Sequence, residues 1–233
     1  AGVQRLRHWG PALSPEPPDA MPLITYLTQI QIEAGARKLL AGECERVGIK
    51  KPLIVTDAGV RAAGVLQTLL DALPAGMRGA VYDGTPSNPT EKAVREAVAL
   101  FERLGCDGLI AVGGGSSIDC AKGAAVMATH PGELRDYDIM KVIRREGRAI
   151  TPAAAPIVAI PTSAGTGSEV STIAVLSVGP GEKIVLINNN LLPRVTLADP
   201  ELTLSLPRGL TAGTGMDALS HCLEAYFSSN ENP

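Results

Sequence analysis

Three consecutive glycines, at residues 113–115, stand between an apolar run and a segment that opens with Ser116 and Ser117. The apolar run 109–112 predicts a buried strand, and the segment 116–123 predicts a helix. A strand, a glycine turn and a helix N-terminus can bind an anion, because backbone amides approach it closely and the first helical turn leaves its amides unpaired. The pattern is not GxGxxG, so it is not an ordinary Rossmann fingerprint. The alternative to a phosphate site is a turn that connects a strand to a helix and binds nothing.

A second polar cluster follows another apolar run, PIVAIP at residues 156–161. Residues 162–169 hold two glycines and four hydroxyl side chains, those of Thr162, Ser163, Thr166 and Ser168. Such a loop could line a phosphate, a ribose or a carboxamide. The alternative is a plain surface loop, since Ser, Thr and Gly clusters are typical of turns.

A carboxylate and an imidazole, Asp217 and His221, lie four residues apart in a predicted helix over 214–226. That spacing places both on one helix face, where they could share a divalent metal ion. Two side chains are fewer than the three ligands of a typical catalytic site. A solvated or helix-capping pair is therefore the alternative.

The segments that position these groups alternate between predicted strands and predicted helices. Strands are predicted over 26–35, 52–56, 79–83, 109–112, 156–161 and 194–200, helices over 36–47, 58–72, 91–104 and 116–123, and a hairpin over 171–188. The alternation indicates an α/β fold with a doubly wound parallel sheet. Ligands of such sheets bind at the carboxyl ends of the strands, so Asp57, Asn88 and the glycine turn can converge on one ligand.

Composition argues against nucleic-acid and membrane partners. The 233 residues carry a net charge of -3 and only 3% aromatic side chains, which disfavours a base-stacking surface. There is no apolar run of membrane-spanning length and no apolar signal-peptide core near residue 1. The four cysteines form no C-x-x-C pair, so we expect them reduced in a cytoplasmic protein.

Four ordered segments resemble the iron-containing (group III) alcohol dehydrogenases: GGGSSIDCAK (113–122), PTSAGTGSEVS (161–171), DPELT (199–203) and TGMDALSHCLEAY (214–226). The resemblance implies a dinucleotide-binding, dehydroquinate synthase-like α/β domain followed by an all-helical domain. On this basis we expect a disordered extension at residues 1–22, an NAD-binding domain at 23–203 and the first part of a helical metal-binding domain at 204–233.

The resemblance also implies a role for individual residues. Asp57 would bond the adenosine ribose, and its charge would favour NAD over NADP. The other implied cofactor contacts are Asn88, Gly114, Gly115, Ser116, Asp119, Thr162, Ser163, Thr166, Lys183 and Leu202. Asp217 and His221 would be the first two ligands of Fe²⁺ or Zn²⁺.

The implied chemistry is reversible hydride transfer between a primary alcohol and an aldehyde, with the metal as Lewis acid. The family needs two further histidines, whereas this sequence has only His8, His130 and His221. We therefore expect a chain truncated before the end of the helical domain, with weak metal retention and little activity. The resemblance also implies assembly into a homodimer or larger. The alternatives are a nucleotide-binding module without catalysis, or a relative of maleylacetate reductase or glycerol dehydrogenase.

Overall fold

The fold is built on a parallel sheet of six strands. A computed structural model describes residues 28–78 and 80–228, so the predicted extension at 1–22 lies outside the described residues. The six strands are β1 (Gln29–Ile32), β2 (Pro52–Val55), β3 (Val81–Tyr82), β4 (Gly108–Gly113), β5 (Ile157–Pro161) and β8 (Val195–Ala198), and their order in the sheet is β1-β8-β5-β4-β2-β3. The predicted α/β fold is confirmed, and β1, which falls within the strand predicted over 26–35, lies at one edge of the sheet.

Helices cover both faces of the sheet, which is why its central strands are continuous apolar runs. Alternate side chains of β2 separate into two cores, with Leu53 and Val55 on one face and Ile54 on the other. The first core is covered by α4 (Glu91–Leu104) and α5 (Gly115–Met127), and the second by α1 (Leu40–Arg46), α2 (Ala58–Ala62) and α3 (Val65–Ala72). This arrangement is doubly wound.

Local signals set most helix ends. Thr90 caps α4 by accepting a hydrogen bond from the Ala93 amide at 3.2 Å, and Gly105 ends it in a left-handed conformation. The single helix predicted over 58–72 is wrong in one respect, because Gly64 adopts φ +77° and separates α2 from α3. The helix predicted over 36–47 likewise begins with a 3-10 turn, Ala36–Leu39, before α1.

Beyond β5, the chain forms a two-stranded hairpin, the strand β8 and a final helix. The predicted hairpin is present as β6 (Ile173–Gly179) and β7 (Glu182–Ile187), paired antiparallel. Before β5, a short helix α6 (Ile139–Ile143) lies within the polar stretch 132–155. The final helix, α7 (Arg208–Phe227), starts earlier than the predicted residue 214, and none of its 20 residues is buried. Within the described ranges, no helix is long and apolar enough to cross a membrane.

Candidate functional site

A cleft opens where the sheet changes its winding direction. From β2 the chain moves outward to β3 and then returns to β4 on the other side of β2. Connections that leave in opposite directions open a crevice at the carboxyl ends of the two strands. Asp57 follows β2 and Gly113 ends β4, and a cleft of about 560 Å³ lies at this point.

The glycine turn brings two walls of the cleft into close contact. A Cβ atom added at Gly115 would lie only 2.6 Å from Oγ1 of Thr166, and one at Gly114 would lie 3.1 Å from Oγ of Ser163. Gly113 itself has φ +142°, a conformation that favours glycine. Only glycines therefore let the N-terminus of α5 approach the hydroxyl loop 162–166 so closely.

The start of α5 faces the cleft, as an anion site would require. Gly114, Gly115 and Ser116 line the cleft at that helix end. The 162–166 loop begins at the same point, because the Thr162 amide donates to the Gly113 carbonyl at 3.1 Å. The positive end of the helix dipole and the hydroxyl loop thus lie on one cavity.

Asp57 joins the two sides of the crevice. Its Oδ1 accepts a hydrogen bond from the Val60 amide at 3.0 Å and so caps α2. Its Oδ2 accepts one from the Ser117 hydroxyl at 3.0 Å, which ties the carboxylate to α5. Asp57 therefore holds a fixed position at the edge of the cleft.

One hydroxyl in the cleft wall has only a weak protein partner. Thr85 is 6% exposed and lines the cleft; its Oγ1 makes no hydrogen bond to a nitrogen or oxygen atom and interacts only weakly with the Cys120 thiol. A buried hydroxyl without a strong partner is costly, by about 1–3 kcal/mol. A ligand with a polar atom at this position would satisfy it, so this part of the cleft is suited to a polar group.

Residues from the last third of the chain form another wall of the cleft. Leu202, Leu206 and Leu210 contribute apolar lining, and Thr214 of α7 lies against the hydroxyl loop. A Cβ atom at Gly165 would be only 2.9 Å from that of Thr214. The first half of α7 therefore forms one wall of the cleft.

The cleft brings together most of the residues implicated by sequence. Eight of them line it: Asp57, Gly114, Gly115, Ser116, Thr162, Ser163, Thr166 and Leu202. Sequence reasoning missed Thr85 and Thr214. The turn GTPSNPT and the segment TGMDALSHCLEAY contained the signal, but we selected only Asn88 from the first and the Asp–His pair from the second.

Asn88 and Lys183 lie beside the cleft rather than in its wall. Lys183 Nζ donates to Oδ1 of Asn88 at 3.1 Å, which joins the hairpin to the turn after β3. The same turn is also held to α5, because the Ser116 hydroxyl donates to the carbonyl of Ser87 at 2.5 Å. The pair is therefore adjacent to the start of α5.

Asp119 has different surroundings from the cofactor contact that we expected. Its carboxylate accepts hydrogen bonds from the Ser168 hydroxyl at 2.5 Å and from the Val175 amide at 2.9 Å. Burial raises the pKa of Asp119, although these two bonds and the nearby Lys122 oppose the shift. Asp119 thus supports the loop behind the cleft and does not line it.

Asp217 and His221 lie on the face of α7 that continues from the cleft. Leu210, Thr214, Asp217 and His221 follow one another at spacings of four, three and four residues, which is a single helical stripe. Nε2 of His221 lies 3.8 Å from Oδ1 of Asp217, and both side chains are partly exposed. A carboxylate and an imidazole are both donor types that can bind one divalent cation.

The donor set is incomplete within residues 28–78 and 80–228. No group of three or more His, Cys, Asp or Glu side chains there could hold a metal ion. The two donors on α7 therefore fit Fe²⁺ or Zn²⁺ in chemistry but not in number.

Comparison with known proteins gives consistent matches. The sequence profile of the iron-containing alcohol dehydrogenases matches residues 28–200. A 4-hydroxybutyrate dehydrogenase from Cupriavidus necator is 53% identical over 213 residues, covering 91% of this chain and 55% of that protein. A 1,3-propanediol dehydrogenase from Klebsiella pneumoniae is 41% identical over 202 residues, covering 85% of this chain and 50% of that protein.

Solved structures agree. A sulfoacetaldehyde reductase from Bifidobacterium kashiwanohense in complex with NAD⁺ superposes with a TM-score of 0.82 at 30% identity, covering 92% of this chain and 55% of that chain. The chain spans about half the length of the curated relatives it matches.

Proposed function

Because the chain belongs to the iron-containing alcohol dehydrogenase family, we propose that its cleft binds NAD for reversible hydride transfer between a primary alcohol and an aldehyde. One observation carries this proposal. The start of α5, the hydroxyl loop 162–166 and Asp57 all line a single cleft at the switch point of the sheet. A dinucleotide offers the anionic, hydroxyl and amide groups that such a lining would bind.

Each wall would bind a different part of the cofactor. The backbone at Gly115 and the Ser116 hydroxyl would hold the pyrophosphate at the helix N-terminus. The loop residues Thr162, Ser163 and Thr166 would donate hydrogen bonds between the pyrophosphate and the nicotinamide. The apolar side chain of Leu202 would pack against the adenosine half.

The adenosine end would select NAD over NADP. A 2′-phosphate beside the Asp57 carboxylate would bring like charges together in a partly enclosed cleft, where their repulsion is poorly screened. The Thr85 hydroxyl, which has only the Cys120 thiol as a weak partner, would donate to a polar atom of the cofactor and gain a stronger hydrogen bond.

The chain's own contribution to the reaction is binding, orientation and exclusion of water. The hydride chemistry itself belongs to the nicotinamide. Asp217 and His221 would supply two of the ligands of a divalent cation, and such a cation would supply Lewis acidity toward the substrate oxygen. The stripe on α7 that bears both residues would place them next to the nicotinamide end of the cleft.

The substrate we propose is a short primary alcohol with a second polar group at its far end. The names of two relatives, a 4-hydroxybutyrate dehydrogenase and a 1,3-propanediol dehydrogenase, refer to molecules of this type. A panel of 4-hydroxybutyrate, 1,3-propanediol and 1-butanol would test it. Preference for 1-butanol would contradict the need for a second polar group.

We also propose the domain division, compartment and assembly expected from the sequence: an NAD-binding domain over 23–203, a helical domain beginning at 204, a cytoplasmic location and a homodimer or larger. The uncovered apolar side chains of α7 support association, because exposed apolar patches mark interfaces. Light scattering would test the assembly, and a monomer at all concentrations would contradict it.

The cysteines support the proposed cytoplasmic location. Three of them are buried and all four are free, as expected in a reducing compartment.

Fluorescence titration of the chain with NADH tests the cofactor proposal. Saturable binding is expected, and Gly115→Val should abolish it, because the larger side chain would enter the space of Thr166. Gly42→Ala is the matched control, since a Cβ atom at Gly42 meets no atom within 4 Å. Absence of saturable binding at millimolar NADH would overturn the proposal.

A second candidate, a nucleotide-binding module without catalysis, is favoured by the two-donor metal set. The alcohol panel assayed with NAD and added Fe²⁺ or Zn²⁺ separates the two. NADH production supports the dehydrogenase, whereas tight NADH binding without turnover under every metal condition supports the module.

A further inference from the structure

Lys122 carries a fully buried amino group on α5 that the proposed cofactor contacts do not use. Its Nζ donates to three backbone carbonyls, those of Ser168 at 2.7 Å, Ser171 at 2.8 Å and Ile173 at 2.6 Å. It also donates to the Ser168 hydroxyl at 3.0 Å. These acceptors lie in the chain that follows the hydroxyl loop, from Ser168 to Ile173, the first residue of β6.

A buried ammonium group is tolerated only when it is well solvated by protein dipoles. Burial lowers the pKa of Lys122 to about 8, and the carboxylates of Asp119 and Glu169 oppose that shift. Three carbonyl oxygens within 2.8 Å accept from Nζ, and only the protonated ammonium group supplies three N–H donors. Its hydrogen bonds to the carbonyls are charge-assisted, which makes them stronger than neutral ones.

Asp119 reinforces the same contact one helical turn earlier. The Ser168 hydroxyl accepts from Lys122 and donates to Asp119, and the Val175 amide donates to the other carboxylate oxygen. The helix thus holds residues 168–175 at both ends through two side chains of opposite charge.

The contact continues to the cleft wall. The Ser168 amide donates to Oγ1 of Thr166 at 3.2 Å, and Thr166 lies against Gly115 at the start of α5. One helix therefore meets the hydroxyl loop twice, directly at its N-terminus and through Lys122 two turns further on.

We propose that Lys122 is a positioning residue for the cofactor site: by binding the chain at residues 168–173, it holds the hydroxyl loop 162–166 at the distance from α5 that the nicotinamide half of the cofactor requires. This inference rests on the proposed function, NAD binding in the cleft. It assigns to Lys122 an effect on the nicotinamide end and none on the adenosine end, which is formed by other segments.

The test compares two ligands of different reach, NADH and AMP, by calorimetry. Lys122→Met keeps the length of the side chain and removes its charge and donors. We expect NADH to bind about tenfold or more weakly, as loss of charge-assisted hydrogen bonds predicts, with AMP affinity unchanged within about twofold. Lys92→Met, which changes an exposed lysine of α4, is the matched control and should alter neither affinity.

Each outcome decides a different claim. A parent chain that binds no NADH overturns the proposed function itself. NADH affinity that is equal in the parent and in Lys122→Met, or a parallel loss of NADH and AMP, overturns the positioning role. If Lys122→Met fails to fold, Ser168→Ala decides, because it removes the shared hydroxyl and leaves the carbonyls in place. It should weaken NADH about threefold without affecting AMP, and an unchanged NADH affinity would reject the inference.

Discussion

Thr85 and Thr56 present the same chemical anomaly in two different places. Both hydroxyls are buried and make no hydrogen bond to a nitrogen or oxygen atom, but only Thr85 lines the cleft, where its neighbour is the weakly bonding Cys120 thiol. A ligand in the cleft could therefore satisfy Thr85 but not Thr56. Comparing the two positions therefore isolates the contribution of the cleft.

Thr85→Val should change stability and cofactor affinity in opposite directions. Removing a buried hydroxyl whose partner is only a thiol raises the free energy of unfolding of the free chain by about 1 kcal/mol, whereas the lost ligand contact weakens NADH binding about tenfold. Urea unfolding and NADH titration measure the two quantities. Thr56→Val is the control and should gain stability with no change in affinity. Equal NADH affinity of Thr85→Val and the parent would remove Thr85 from the site.

Asp57 combines a structural and a proposed selective role, and one substitution separates them. Asp57→Asn retains an oxygen that can cap α2 but removes the charge beside the adenosine ribose. We expect the preference for NADH over NADPH to fall by about tenfold, because a like-charge repulsion is lost. The ratio of the two dissociation constants measures it. An unchanged ratio would exclude Asp57 from cofactor discrimination.

Among the elements, the edge strand β1 depends on a carboxylate from the far end of the domain. Asp199, which follows β8 and has no exposed side-chain surface, accepts hydrogen bonds from the Gly35 amide at 3.0 Å and from the Arg37 guanidinium at 2.6 Å. Burial works against its ionisation, but the amides and the guanidinium outweigh it and lower the pKa of Asp199. The charged carboxylate thus holds the segment after β1 against β8.

The depressed pKa of Asp199 predicts how stability depends on pH. The stabilisation is fully present above the ordinary aspartate pKa of about 4 and is lost as pH falls through the lower folded-state value. Asp199→Asn should lower the free energy of unfolding by about 1–3 kcal/mol at pH 7. That deficit should shrink on acidification below about pH 4, as followed by urea unfolding across pH. A deficit independent of pH would contradict the assignment.

The 20-residue helix α7 has no buried residue, a feature that it shares only with the five-residue helix α6 in the described part of the chain. It contacts the rest of the chain through its first half at the cleft, while apolar side chains further along remain exposed: Met216, Leu219, Leu223, Tyr226 and Phe227. Its orientation therefore depends on few contacts. The Asp217–His221 pair lies on this weakly held element.

For the molecule as a whole, cofactor binding should raise thermal stability. A ligand that binds only the folded chain stabilises it by about 2.7 kcal/mol at a hundredfold excess over its dissociation constant. For a chain of this size, that is a shift in the unfolding midpoint of about 5–10 °C. Scanning calorimetry with NAD, with NADP as the comparison, measures it, and equal shifts for both would contradict selection by Asp57.

The sequence by itself determined the strands, most helices, the glycine turn and the placing of the candidate site at the carboxyl ends of the strands. Continuous apolar runs specify doubly covered parallel strands, and caps such as Thr90 and Gly105 act on their nearest neighbours along the chain. These are local effects, so local sequence is enough to predict them.

Only the tertiary structure decided which polar side chains face the cleft and which support it. It directed Asp119 to Ser168 and Val175, buried Lys122 under the loop, and joined Lys183 to Asn88 across 95 residues of chain. It also brought Thr85 and Thr214 into the cleft. The physical reason is that these partners are set by strand register and helix packing, and distant contacts of this kind leave no periodic signal in the sequence.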